Sequence, residues 1–144
     1  MKSFYTRSSI VIAFLVLTYG CNLFKLGISS FDQYAYVQTT SIKVDALNLM
    51  DSAINDYATQ VTSVASVQTN LQKLYEYEKS RPKNELTVKQ LDILMDTTGG
   101  LFGGFIVRWK KEKKFGKAFI VETKKQVGMA FDQIALLESK KNKN

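Results

Sequence analysis

Histidine is absent from this 144-residue chain, and cysteine, proline and tryptophan occur once each. Without imidazole the commonest general base and metal ligand is missing, which excludes Ser-His and Cys-His nucleophilic machinery. A lone cysteine, Cys21, completes neither an internal disulfide nor a cysteine-based zinc site. Long apolar runs are scarce too: residues 10–17 form an unbroken run of eight, against the roughly 18–20 needed to cross a bilayer. Acidic residues number 13 against 20 basic ones, a formal net charge of +7. Asp92 and Asp96, one helical turn apart, are the nearest approach to an acid pair and read as surface charge; Glu76 and Glu78 project to different faces. The expectation is a single domain that is not an enzyme and carries no cofactor and no metal.

What is present begins with the apolar run itself. Lys2 and Arg7 ahead of it give the charged n-region and short h-region of a secretory signal. Thr18-Tyr19-Gly20-Cys21 then resembles the lipobox of bacterial lipoprotein precursors, in which an apolar residue, a small residue and Gly or Ala precede an invariant Cys. Gly20 and Cys21 match, Thr18 and Tyr19 stand where the family has Leu and a small residue, and the likeness covers residues 1–21. The resemblance implies loss of residues 1–20, acylation of Cys21 with chains such as palmitate, and a periplasm-facing position in the bacterial cell envelope. More than one acyl chain is the condition for stable membrane attachment. The implied division is signal peptide 1–20, lipidated tether 21–29, helical domain 30–139 and a solvated basic tail 140–144. The competing reading keeps residues 1–20 as an uncleaved anchor, with Cys21 an ordinary small apolar residue.

Beyond the tether, Ser30 and Gln33 have the spacing of a capping box, and no Gly or Pro follows until Pro82. Val37, Thr40, Val44, Leu47, Met50, Ile54, Tyr57, Val61, Val64, Gln68, Leu71 and Tyr75 recur in steps of three and four. That stripe predicts one long amphipathic helix over residues 31–79, on the order of 70 Å, with coiled-coil character and Gln68 as a register-setting polar position. Pro82 forces a reversal, Asn84 or Thr87 caps a second helix over about residues 85–96, glycines break the chain near residue 100, and a last stripe runs through residues 117–139. The fold class is all-α: a long antiparallel helical hairpin or a three- to four-helix bundle.

The sharpest local feature is "GGLFGGFIVRW", residues 99–109, followed by lysines. Gly99 with Gly103 and Gly100 with Gly104 make two small-xxx-small pairs, and Trp109 stands among Arg108, Lys110, Lys111, Lys113 and Lys114. One reading is an interfacial membrane or partner contact, with the ring at headgroup depth beside cations. The other is a turn at Gly99 and Gly100 with Gly103 and Gly104 allowing tight helix packing. The basic run suits anionic surfaces, or it is simply a solvated helix face. Nucleic acid is not expected, because no ordered aromatic platform accompanies the cations. The functional expectation is therefore an envelope lipoprotein acting as a helical spacer or docking module for another envelope protein, or self-associating. The alternative is a membrane-active or anionic-lipid-binding protein using residues 99–109 and the lysines that follow.

Overall fold

The computed structural model describes residues 28–142, and its regular elements are all helical. Five α-helices follow in order: α1 Gln33–Asp51, α2 Val61–Ser80, α3 Glu85–Met95, α4 Phe102–Glu112 and α5 Lys117–Ser139, with two short 3-10 turns, Ser52–Ile54 and Tyr57–Thr59, between α1 and α2. α1 packs on α2 and α5, while α3 packs on α2 and α5, so four rods close a ring around one core. α4 sits against the end of α3 and the second 3-10 turn. The bundle alternative is thus the architecture found, with one helix more than expected, and the extended hairpin is not.

The predicted 70 Å helix is broken at residues 52–60, although no Gly or Pro stands there. Local side-chain chemistry does the breaking. Asp56 accepts a hydrogen bond from the Ala58 N–H at 2.9 Å, and the Thr59 hydroxyl donates to the Asp56 carbonyl at 2.7 Å. Both bonds offer the backbone a partner that a continuing helix would not need. The backbone groups freed by the break are taken up from a distance: the Phe115 N–H donates to the Ala53 carbonyl at 2.8 Å, and the Tyr57 N–H to the Lys113 carbonyl at 2.7 Å.

The break also changes which stripe is buried. On α1 the inward positions are Ala35, Thr39, Ile42, Ala46 and Leu49, continuing to Ala53, a 4-3-4-3-4 spacing. Val37 and Val44, prominent in the sequence stripe, are exposed. Small residues let α1 approach its neighbours closely, and a reading weighted toward bulky side chains picks the adjacent face. α2 buries Val64, Val67, Leu71, Leu74 and Glu78, which leaves Gln68 exposed and without the buried register-setting role. The α1 cap likewise differs: Asp32, not Ser30, accepts from the Ala35 N–H at 2.8 Å.

α3 and α5 start and stop within a residue of expectation. Their inward positions, Thr87, Leu91 and Leu94 on α3 and Ile120, Val127, Phe131 and Ile134 on α5, complete the core with α1 and α2. Each fully buried aliphatic or aromatic side chain of this set contributes roughly 1.5–3 kcal/mol of transfer free energy.

Candidate functional site

Two ends of the bundle carry its charge, and they differ in kind. α1 and α5 are antiparallel partners, so residue 33 and residue 139 share one pole, while residues 51–61 and 112–117 share the other. We call the first the tether pole, after the tether expected over residues 21–29, and the second the distal pole.

At the tether pole, the i, i+3/i+4 registers of α2 and α5 run past their apolar members and end on charges. The α2 series continues from Leu71 and Leu74 to Glu78, and the α5 series from Phe131 and Ile134 to Glu138 and then Lys141. Glu78, Glu138 and Lys141 have side chains 1 % exposed, and Arg81 11 %. Arg81 donates to Glu78 at 2.7 Å and to both oxygens of Glu138 at 3.1 Å. Lys141 is ion-paired with Glu138 and donates to Asn84 Oδ1 at 2.7 Å and to the Thr87 hydroxyl at 3.1 Å. Two buried carboxylates therefore face two cations, and the cluster is formally neutral, the condition under which such groups are tolerated away from water.

The same cluster grips the start of the described chain. The Ser29 hydroxyl donates to Asn84 Oδ1 at 2.8 Å, its N–H to the Lys83 carbonyl at 3.0 Å, and the Asp32 N–H to Glu138 at 2.7 Å. The Phe31 N–H reaches the Asn142 carbonyl at 3.0 Å. Burial alone would raise the Asp32 pKa, but the Ala35 N–H, the Tyr77 hydroxyl at 2.7 Å and the Arg81 charge outweigh it and hold the carboxyl below its ordinary value. Tyr77 is raised in turn, chiefly because its hydroxyl donates to Asp32. Burial would lower the Arg81 pKa, yet the Glu138 hydrogen bonds and the Glu78 and Glu138 charges keep it above the guanidinium norm. Lys141 corrects the solvated-tail expectation: it is buried because its ammonium completes this charge balance.

Of the residues singled out in the sequence, Cys21 lies outside those described. Gly103 and Gly104 act as packing residues. A Cβ on Gly103 would overlap the Met95 and Asp96 carbonyl oxygens, and one on Gly104 the Gly99 carbonyl oxygen. Gly99 and Gly100 form the exposed turn, fastened by Asp96, whose carboxylate accepts from the Thr98 N–H and hydroxyl at 2.8 Å each. These bonds hold the Asp96 pKa below the usual value. Trp109 is 0 % exposed, with its Nε1–H donated to the Asn55 carbonyl at 3.2 Å and the Tyr57 ring edge-on at 5.5 Å. It is a core residue, as the packing reading of this segment has it, and the ring is not presented at headgroup level in this fold.

Arg108 lies 4.4 Å over the Phe119 ring and pairs with Glu112 at 2.6 Å. That leaves Lys110, Lys111, Lys113 and Lys114 exposed at the distal pole without a carboxylate partner among the described residues. No protein-family model matches the chain, no curated protein matches it, and no solved structure matches it.

Chemistry beyond binding finds no constellation among the described residues. No three His, Cys, Asp or Glu side chains come together as a metal site, and no helix is long and apolar enough to cross a membrane. An open groove of about 500 Å³ between α1 and α2 is lined by Asp45, Asn48, Ser52, Gln60, Ser63 and Ser66 among others, a single carboxylate with no base beside the hydroxyls. Sequence reasoning passed over the tether-pole cluster, whose signal was present: Glu78, Glu138 and Lys141 fall on core registers.

Proposed function

We propose that this protein is a non-enzymatic lipoprotein of the bacterial envelope, held to a membrane through acylated Cys21, whose helical bundle serves as a docking module or spacer for another envelope protein. The observation that carries this reading is the anchoring of Ser29 and Asp32 in the buried tether-pole cluster. Eight peptide steps separate Cys21 from Ser29, at most about 28 Å. A lipid at Cys21 therefore pulls on a side chain-locked site at one end of the rods and leaves the other end free to meet a partner. The partially matching lipobox supplies the anchor, and the groove with its single carboxylate agrees with a role in contact rather than turnover.

The burial of Trp109 weighs against lipid insertion by residues 99–109, since exposing that ring means dismantling the α4 contact with the 3-10 turn. Intact-mass and N-terminal analysis of the protein from its producing bacterium tests the reading. The expected species begins at Cys21 and carries acyl mass. An intact Met1 with a free Cys21 thiol overturns it.

A further inference from the structure

The geometry points to the distal pole as a docking surface for an acidic protein segment, presented away from the membrane that holds the tether; this rests on the lipid-anchor reading above.

Residues 108–125 contain eight cations and two carboxylates, a local excess of six in a chain whose formal net charge is +7. Arg108 is paired with Glu112, and Lys124 with Asp51. Lys110, Lys111, Lys113, Lys114, Lys117 and Lys125 are exposed and have no carboxylate partner among the described residues. At the tether pole, four of the charges, Glu78, Arg81, Glu138 and Lys141, are matched and withdrawn from water, and Lys79, Lys83 and Lys140 remain exposed. The rest of the described chain holds eight cations and eleven carboxylates, so the positive excess of residues 28–142 is concentrated in this segment.

That end is rigid. The loop between α4 and α5 is tied to the α1–α2 turn by the Tyr57–Lys113 and Phe115–Ala53 backbone bonds, and Arg108 bridges α4 to the Phe119 ring of α5. Lys113 holds φ 70°, ψ −46°, a backbone state that costs a residue with a Cβ and that glycine takes freely. A lysine occupies the position nonetheless, placed beside Lys114. Cations on a fixed frame lose less freedom on pairing than cations on a mobile tail.

Two features select an acidic protein segment over a membrane. First, aliphatic groups are interleaved with the charges: Val107, 48 % exposed, lies a turn from Lys110 and Lys111, and Val121, 58 % exposed, lies a turn from both Lys117 and Lys125. The aromatic side chains that favour a lipid interface, Trp109 and Phe115, are buried instead. Secondly, α5 spans 23 residues, about 34 Å, between the poles, several Debye lengths at physiological salt. The lysines stand beyond the reach of the field of their own membrane while the bundle is upright on its tether.

The test uses the full acylated chain in phosphatidylcholine nanodiscs, with labelled polyglutamate as probe and anisotropy as readout. Binding is expected to weaken by about tenfold or more between low and physiological salt, and by a similar factor in K110E/K111E/K114E, whose exposed sites leave the helical circular dichroism unchanged. Reversing the remote Lys73 and Lys89 leaves it intact. Val107→Ser with Val121→Ser weakens it a few-fold at unchanged salt dependence. Adding phosphatidylglycerol to the discs changes nothing, because the pole does not fold back on its own membrane. Absence of polyglutamate binding at low salt, equal loss in K73E/K89E, tighter binding of polyphosphate, or loss of binding on anionic discs each overturns the proposal. Intact mass decides the anchor separately: an unacylated chain that still binds polyglutamate at this pole removes the lipoprotein reading and leaves the acidic-segment site standing.

Discussion

Lys141→Met cuts one cation out of the buried tether-pole cluster and leaves Glu78 and Glu138 facing Arg81 alone. A charge pair about 3 Å apart, in surroundings of effective dielectric constant about 20, attracts by roughly 5 kcal/mol before desolvation is subtracted. Removing the Lys141 ammonium recovers part of its own desolvation cost but leaves an unmatched carboxylate 1 % exposed, and Asn84 Oδ1 and Thr87 Oγ1 each lose a donor. The net expectation is a loss of about 3 kcal/mol, the lower part of the range for breaking a buried pair from one side. In a domain of this size that lowers the melting temperature by roughly 12 °C. Glu138→Gln leaves the opposite imbalance and destabilises by a comparable amount. Combining the two restores neutrality between Glu78 and Arg81, so the double variant is expected to be more stable than the sum of the singles by about 1–3 kcal/mol. Urea unfolding followed by far-ultraviolet circular dichroism measures all three. Additivity within about 0.5 kcal/mol, or a loss under about 1 kcal/mol for Lys141→Met, refutes the picture of a charge-balanced buried cluster.

Other expectations follow from single contacts. Gly103→Ala places a Cβ on the Met95 and Asp96 carbonyl oxygens and is expected to cost about 2–3 kcal/mol, whereas Gly128→Ala meets only Leu47 Cδ1 at 3.7 Å inside α5 and should stabilise by about 0.5–1 kcal/mol; thermal melts of the pair compare the two. Trp109, the single tryptophan, should emit at short wavelength, resist acrylamide quenching and stay unchanged when anionic vesicles are added; a red-shifted, quenchable emission contradicts its burial. The depressed pKa of Asp32 adds stability that is complete above the ordinary carboxylate value of 3.8 and is lost as pH falls through the lower folded value. Asp32→Asn should therefore reduce stability at neutral pH and flatten its acid limb, as urea midpoints taken across about pH 2–7 would show.

Much of the fold could be read from residue spacing. Pro82 marked the turn at the tether pole, and the apolar series of α3 and α5 located those helices nearly to the residue. What escaped was carried by small or polar side chains. Ala35, Ala46 and Ala53 define the inner face of α1, yet they add little to any hydrophobic stripe, while Val37 and Val44 point to solvent. The break after Asp51 depends on Asp56 and Thr59 competing for backbone partners and on the distant loop at Lys113 and Phe115, which no local pattern foreshadows. The glycines at 103 and 104 were legible as either a membrane face or a packing device, and only the nearness of the Met95 and Gly99 carbonyls decides for packing. For the tether-pole charges, Glu78 and Glu138 do fall on core registers, but that the two segments meet, with Arg81 on Glu138 and Lys141 on Asn84 and Thr87, is a matter of tertiary assembly.

The grip on Ser29 and Asp32 also has a mechanical consequence under the proposed anchor. If the chain is held by a lipid at Cys21, as proposed, tension meets the Ser29–Lys83, Phe31–Asn142 and Asp32–Glu138 bonds first, spread over the α2–α3 turn and the end of α5, before any turn of α1 is stretched. Strain is thus shared among three chain segments at once, and the helices peel only after that shared joint has yielded.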